Sequence, residues 1–256
     1  MKKLFTVLLS VLMVMGLVAC SSKSDDAAAT ATPEASATTE TSDPTAEFPT
    51  AKDTYETFMA ADVDSEVEVL MYVQAHQGWW EDNGQGVMTL YGMDNYGGYF
   101  VYNAKMDEAT ADTIGEGTLV KVTGTKAEWS GEVEIIDATV EVYADQDPTV
   151  YPVQDVSDMM GDSEKLSAYM NQKVAINGLD VVKVETKDSE YDPDLYITCM
   201  QGDVEVNLCV ENYLTGTDSE VYKTASALVE GDVIDVEGFL YWYEGANPHV
   251  TSITVE

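Results

Sequence analysis

The sequence predicts a mainly β protein in which two similar five-stranded barrels follow a signal peptide and a disordered tether. Three observations predict this class: alternation of apolar and polar residues, short helical stretches at matching places in the two halves, and glycines repeated at a fixed offset. Each barrel is expected to hold a short helix between its third and fourth strands. One large Greek-key β-sandwich is the alternative fold, but it does not explain the helical stretches.

The first twenty residues have the layout of a secretory signal. Lys2 and Lys3 precede an apolar run that is too short for a comfortable membrane span. The run ends in the letters LVAC at residues 17–20, which resemble the lipobox of bacterial lipoproteins. That resemblance implies a signal peptide over residues 1–19 and a lipid on Cys20, which would hold the chain on the extracytoplasmic face of the cell membrane. An ordinary cleaved signal followed by a chance cysteine is the alternative.

Residues 20–52 are expected to form a disordered tether behind this anchor. Ala, Thr, Ser, Pro and acidic residues dominate the segment. Such a composition buries too little apolar surface to offset the entropy of ordering the chain. A flexible coil of about 30 residues spans roughly 30 Å, so the tether would lift the folded part off the lipid surface.

The first folded domain is predicted over residues 53–147. Strands are expected at 66–73, 87–91, 99–102, 117–124 and 132–143, and a helix-compatible stretch at 106–114. A turn rich in Gly and Asn separates the second strand from the third.

The second domain, residues 148–256, repeats this order. Its strands are expected at 173–184, 195–200, 204–210, 231–238 and 248–255. A helix is expected over 219–229, because apolar side chains recur there at helical spacing.

Glycines support a duplication. Three pairs lie 114 residues apart: Gly117 and Gly231, Gly124 and Gly238, and Gly131 and Gly245. The first two pairs frame the same motif, G-(T/D)-x-(V/I)-x-V-x-G, in both halves.

Strand, hairpin, short helix and hairpin is the element order of the OB fold, a five-stranded barrel. The second half, with AYMNQKVAINGLDVV, LYITCMQGDVEVNLCV and LVEGDVIDVEGFLYW, resembles the tRNA-anticodon-binding-like OB domains of bacterial envelope lipoproteins. The first half resembles them more loosely, through LVKVTGTKAEWSGEVEI. The basic side chains of RNA-binding members are absent, so the resemblance implies no RNA-binding residue.

The charge balance leads to an expectation about binding partners. There are 47 acidic residues and 12 lysines, there is no arginine, and the net charge is −35. Phosphate backbones are bound by clustered Lys and Arg, so we expect no nucleic-acid partner. We interpret the acidity as an aid to solubility outside the cell, with a cationic partner such as Ca²⁺ or a basic peptide as the alternative.

Two cysteines remain beside the anchor, Cys199 and Cys209, in consecutive predicted strands. A tight turn at Gly202-Asp203 would place them on opposite faces and forbid a disulfide, whereas a longer loop would permit one. Free thiols are the preferred interpretation.

No enzyme is predicted. The nucleophile-elbow, P-loop and zinc-protease motifs are all absent from the sequence. We interpret the only histidines, His76 and His249, as ordinary strand or loop-end residues. Asp pairs at 62/64, 145/147 and 192/194 fit turns and caps better than a calcium loop. We therefore predict no catalytic residue, no metal site and no cofactor.

Aromatic residues form the candidate ligand-binding set, because they fall on the strand-two and strand-three face and on the rim loops where OB barrels bind ligands. The set is Trp79, Trp80, Tyr91, Tyr99, Trp129, Tyr241, Trp242 and Tyr243. Trp79 and Trp80 are favoured, since neighbours on a strand cannot both point inward. The alternative is that these rings cap the barrels or pack the two domains together.

These observations predict a membrane-anchored, extracytoplasmic lipoprotein that acts as a non-enzymatic binding module for a glycan or a protein. The alternative role is a structural or assembly subunit of an envelope complex.

Overall fold

The computed structural model describes residues 48–186 and 193–256. The predicted signal peptide, Cys20 and nearly all of the tether lie outside these residues. Within them, no helix combines the length and the apolar character that a membrane crossing requires. The described residues of both halves belong to one compact unit.

The first half forms a closed barrel. Its strands are β1 (Glu66–His76), β2 (Trp80–Asp82), β3 (Gln85–Met93), β4 (Gly98–Lys105), β5 (Leu119–Trp129) and β6 (Glu132–Tyr143). Its helices are α1 (Tyr55–Ala60) and α2 (Glu108–Ala111). The long strand β1 pairs with both β3 and β5, and β4 runs parallel to β6, which closes the order β1-β5-β6-β4-β3. This is the OB topology, with α2 between the third and fourth barrel strands.

The second half repeats that topology. Its strands are β7 (Gln154–Asp155), β8 (Lys173–Thr186), β9 (Leu195–Gln201), β10 (Val204–Val210), β11 (Val233–Phe239) and β12 (His249–Val255). Its helices are α3 (Ser163–Ser167), α4 (Asn212–Thr215) and α5 (Glu220–Ala227), with a short 3-10 turn at Ser157–Met159. Here β8 pairs with β9 and β11, and β10 runs parallel to β12.

The predicted fold class is therefore confirmed: two OB-type barrels, each with a helix before its fourth strand. The short strands β2 and β7 are additions, and they raise each sheet from five strands to six. The first of the three glycine pairs lies at the same position in each barrel, just before the fourth barrel strand. Gly117 and Gly231 both adopt left-handed backbone, and their N–H groups donate to Val73 O and Val181 O on the first barrel strand.

A third apolar cluster joins the two barrels. Each barrel has its own core, and between them Tyr91, Phe100 and Phe239 are buried together. Tyr91 stacks on Phe239 with ring centroids 4.5 Å apart. Burial of large aromatic rings across this contact fixes the barrels against each other.

Cys199 and Cys209 are both buried and form no disulfide with each other, as preferred from the sequence. Cys199 faces Val206 across the β9–β10 hairpin, whereas Cys209 faces Tyr196. Burial raises the pKa of Cys199 to about 12, so this thiol is protonated and unreactive at neutral pH.

Candidate functional site

A cleft of about 410 Å³ opens between the two barrels, and we call it the central cleft. Its lining comes from strands and loops of both halves: Gln77, Phe100, Tyr102, Trp129, Glu134, Glu211, Tyr241 and His249. Phe100 and Tyr102 project from the same face of β4, because alternate residues of a strand point to the same side. Tyr241 lies in the loop at 240–248, which joins β11 to β12, and we call this segment the barrel-2 loop.

Aromatic rings form one wall of the central cleft. Phe100 meets Tyr241 edge to face at 5.2 Å, and Tyr241 stacks on His249 at 4.3 Å with an interplanar angle of 23°. Tyr102 continues the row beyond Phe100, and this residue is 50% exposed. Trp129, at the tip of the β5–β6 hairpin, is 61% exposed. The wall is therefore anchored on buried rings and open at its outer end.

Two carboxylates face this wall. Glu211 Oε1 accepts a hydrogen bond of 2.6 Å from Gln77 Nε2, and Glu211 Oε2 lies 3.3 Å from His249 Nδ1. Glu134 is half-buried, and burial raises its pKa. Within the described part of the chain the Glu134 carboxylate makes no hydrogen bond or ion pair. It is therefore an acceptor available to a ligand.

The proton position on His249 follows from its buried neighbour. Tyr91 is fully buried, and burial raises the pKa of its phenol well above the ordinary value, so the hydroxyl keeps its hydrogen. Tyr91 Oη lies 2.6 Å from His249 Nδ1. The phenol donates to this nitrogen, which leaves neutral His249 with its hydrogen on Nε2. The imidazole thus brings one fixed donor to a site otherwise rich in acceptors.

The central cleft continues onto both barrels. A second cleft of about 520 Å³ lies on barrel 2 and shares Glu211, Tyr241 and His249 with the first. A third, of about 430 Å³, lies on barrel 1 and shares Tyr102 and Glu134. We call these three adjoining clefts the inter-barrel groove. Its continuity suits an extended ligand better than a compact one.

A buried carboxylate at the β5–β6 hairpin of barrel 1 links that hairpin to barrel 2. Glu132 Oε1 accepts from Asn171 Nδ2 at 2.6 Å, and Oε2 accepts from the Trp242 backbone N–H at 2.8 Å. Burial is the main cause that raises the pKa of Glu132 to about 8, although both hydrogen bonds oppose it. The side chain belongs to barrel 1 and both donors belong to barrel 2.

Three predicted residues line the groove. Trp129 and Tyr241 lie in the central cleft, and Tyr243 lies in the barrel-2 cleft, 52% exposed. Trp80 is 42% exposed and lies outside all three clefts. Its neighbour Trp79 packs on the barrel-1 core.

Three others are removed from the candidate set, because their rings serve packing. Tyr91 is buried between the barrels. Tyr99 is buried in barrel 1, where its hydroxyl donates to Asp94 Oδ2 at 2.9 Å. Trp242 is half-buried and covers Gly131 of the β5–β6 hairpin. For Tyr91 and Trp242 the packing alternative raised from the sequence is the one that the structure supports.

Sequence reasoning missed more than half of the central cleft. Phe100, Tyr102, Glu134, Glu211 and His249 come from four separate segments, and no local pattern links them. The spacing of Phe100 and Tyr102 on one predicted strand was the one available signal, because both must share a face. Among the described residues no group of His, Cys, Asp or Glu is arranged to hold a metal ion.

Comparison with known proteins gives structural likeness alone. No family model matches the chain, and no curated protein matches it. Asparaginyl-tRNA synthetase from Pyrococcus horikoshii, solved with asparaginyl-adenylate, is 20% identical over 33% of this chain, with a TM-score of 0.28. The match spans only 19% of that synthetase.

Two other similar structures are matched over nearly their whole length. A murine DNA-binding protein bound to double-stranded DNA is 11% identical, with 73% of this chain and 97% of that chain covered and a TM-score of 0.36. The Ifi202 HINa domain, solved with a 20-base-pair duplex, is 14% identical, with 75% and 98% covered and a TM-score of 0.33. At such scores the OB assignment rests on the strand order and pairing described above.

These structures correct one prediction. The charge balance led us to exclude nucleic acid as a partner, yet similar chains have been solved with DNA bound. The exclusion is therefore wrong. Its physical weakness is that net charge describes the whole surface, whereas bases can stack on a few aromatic side chains.

Proposed function

We propose that this chain is a membrane-anchored extracytoplasmic lipoprotein whose inter-barrel groove binds a glycan without catalysis. The observation that carries the proposal is the pairing of an exposed aromatic wall with the unpaired Glu134 carboxylate in one continuous groove. Flat rings pack against the apolar faces of sugars, and a few placed polar groups accept or donate to the hydroxyls.

Groove shape favours a chain of sugar units over a single small molecule. The wall is open at Trp129 and Tyr102, and adjoining clefts continue on both sides of it. His249 adds a donor where Glu134 and Glu211 add acceptors, which matches the mixed hydrogen-bonding character of sugar hydroxyls.

Removal of the exposed ring tests the proposal. Trp129→Ala should weaken binding to a soluble oligosaccharide by at least about tenfold, because a central aromatic anchor carries much of the energy of such a contact. Trp80→Ala is the matched control, since this tryptophan is also exposed but lies outside the groove. The measurement is isothermal titration against a panel of soluble oligosaccharides, with a DNA oligonucleotide as an additional probe.

Three outcomes would contradict the proposal. One is an equal loss in the two tryptophan variants, which would make the groove irrelevant. Another is salt-dependent binding of the oligonucleotide with no glycan bound. A third is a stable protein partner, displaced by Trp129→Ala, which would favour the assembly role instead.

The anchor has its own test. Wild-type protein should fractionate with membranes and carry an acylated N-terminal cysteine by mass spectrometry, because two acyl chains suffice for stable anchoring. Cys20→Ala should be released or retain its leader. Unmodified Cys20 in a cytoplasmic fraction would overturn this part of the proposal.

A further inference from the structure

We propose that the glycan bound in the inter-barrel groove carries protonated amines, and that Glu134 and the neighbouring aromatic rings recognise them. This inference rests on the proposed function and names the class of sugar that the site would take. The described lining of the central cleft pairs four aromatic side chains with two carboxylates and no lysine.

Aromatic faces and carboxylates together fit an ammonium group. A cation is attracted to the face of Trp or Tyr within about 6 Å, and more strongly where water is partly excluded. Trp129, Tyr102 and Tyr241 surround the cleft that Glu134 also lines. An amine there could place its charge over a ring while it donates to the Glu134 carboxylate.

Negative charge in the cleft is not balanced by the protein. Glu134 has no ion-pair partner within the described residues, and Glu211 Oε2 is shielded from solvent without a hydrogen-bond donor. The barrel-2 cleft likewise contains no lysine among its described lining residues. Lys105, in the barrel-1 cleft, is already paired with Asp137 at 2.7 Å.

The surroundings of Tyr241 are electrostatically negative. Burial raises its pKa most, and the negative charges of Glu132, Glu134 and Glu211 raise it further. A field that opposes loss of a proton at this ring also favours a bound cation beside it.

A set of three tetrasaccharides tests the inference. Tetramers of β-1,4-linked glucosamine, N-acetylglucosamine and glucose share one backbone and differ at C2, where only the first carries an amine. Titrated at a pH that protonates the amines, the glucosamine tetramer should bind about tenfold tighter than the other two.

Glu134→Gln should remove this preference, so that the variant binds the glucosamine tetramer no more tightly than the other two. Glu128→Gln is the matched control, because this exposed glutamate lies on the same hairpin and its substitution changes the net charge equally. The control should keep the preference, which separates a local contact from the general attraction of cations to an acidic protein.

Three other results would contradict the inference, and they differ in whether the proposed function also fails. Equal affinity for the three tetramers would overturn the inference and leave glycan binding intact. Equal loss in the two glutamate variants would also overturn it, since attraction would then be non-specific. Binding of none of the three would overturn the inference and count against the proposed function together.

Discussion

The two barrels share one topology but differ in the connection between their last two strands. In barrel 1, β5 and β6 stay paired up to Trp129 and Glu132, and a tight turn at Ser130 and Gly131 closes the hairpin. In barrel 2, β11 ends at Phe239, and the nine-residue barrel-2 loop intervenes before β12. The tight hairpin presents its tryptophan to solvent, whereas the longer loop folds onto the hairpin.

The two barrels keep the same residue where the backbone geometry of the barrel requires it. Gly124 and Gly238 both lie at a shift of register on the fourth barrel strand, where the fifth strand comes too close for a side chain. A β-carbon at Gly124 would lie 2.8 Å from Ile136 O. Duplicated scaffold positions therefore stay alike, while the loops beside them diverge to build the contact and the groove.

The largest expected effect comes from the cluster that joins the barrels. Phe239→Ala should lower the free energy of unfolding by about 3 to 5 kcal/mol, because it removes a buried ring stacked on Tyr91. Urea denaturation is the measurement. Tyr243→Ala, at an exposed position of the neighbouring loop, should change stability by about 0.5 kcal/mol or less. A loss below about 1 kcal/mol for Phe239→Ala would mean that the barrels are held elsewhere.

Glu132 should make the contact between the loops depend on pH. Its folded pKa of about 8 exceeds the ordinary value of 4.5, so the folded protein holds this proton more tightly than the unfolded chain. Stability from this group is present below pH 4.5 and is lost as the pH rises through 8. At about 1.4 kcal/mol for each pKa unit, the loss over this interval is on the order of 5 kcal/mol.

The measurement compares urea midpoints of wild type and Glu132→Gln across this pH range. The advantage of wild type over the variant should fall as the pH rises, because glutamine cannot ionise. Glu128→Gln, at an exposed position, should follow wild type. A constant difference between wild type and Glu132→Gln would show that the buried carboxylate does not titrate in this range.

Gly131 tests the fit between hairpin and loop. A β-carbon there would meet Trp242 at 2.8 Å, and the backbone is left-handed with φ of 95°. Gly84 has a similar φ of 84° in a turn of barrel 1, with open space around it. Gly131→Ala should therefore cost about 1 to 3 kcal/mol more than Gly84→Ala, because only the first also overpacks a contact. Equal thermal shifts would mean that Trp242 moves aside freely.

Tyr91→Phe should give the smallest loss, about 0.5 to 1.5 kcal/mol, because one hydrogen bond to His249 disappears. A sharper readout is the tautomer of the two histidines by nitrogen NMR. Neutral His249 should carry its hydrogen on Nε2, whereas His76 should carry it on Nδ1, which faces the Gln77 carbonyl at 2.8 Å. The substitution should alter the His249 signals only. Identical tautomers in wild type would contradict the assigned Tyr91–His249 bond.

The candidate site was only partly predictable. Trp129 and Tyr241 were identified because they lie in rim loops at matching places in the repeat. Tyr91 was misplaced, since its strand alternation could show a buried face but not that a second barrel covers the other side. His249 was interpreted as an ordinary residue, because its neighbours Tyr91 and Glu211 are distant in the chain and only the fold brings them to it.

The sequence by itself determined the barrels. Strand alternation, turn glycines and the 114-residue repeat are local or periodic signals, and they specify which segments pair because the buried face of each strand must be apolar. Only the tertiary structure decided how the two barrels meet. The contact and the groove depend on side chains brought together from distant segments, where shape, burial and hydrogen bonding select one packing that no periodicity encodes.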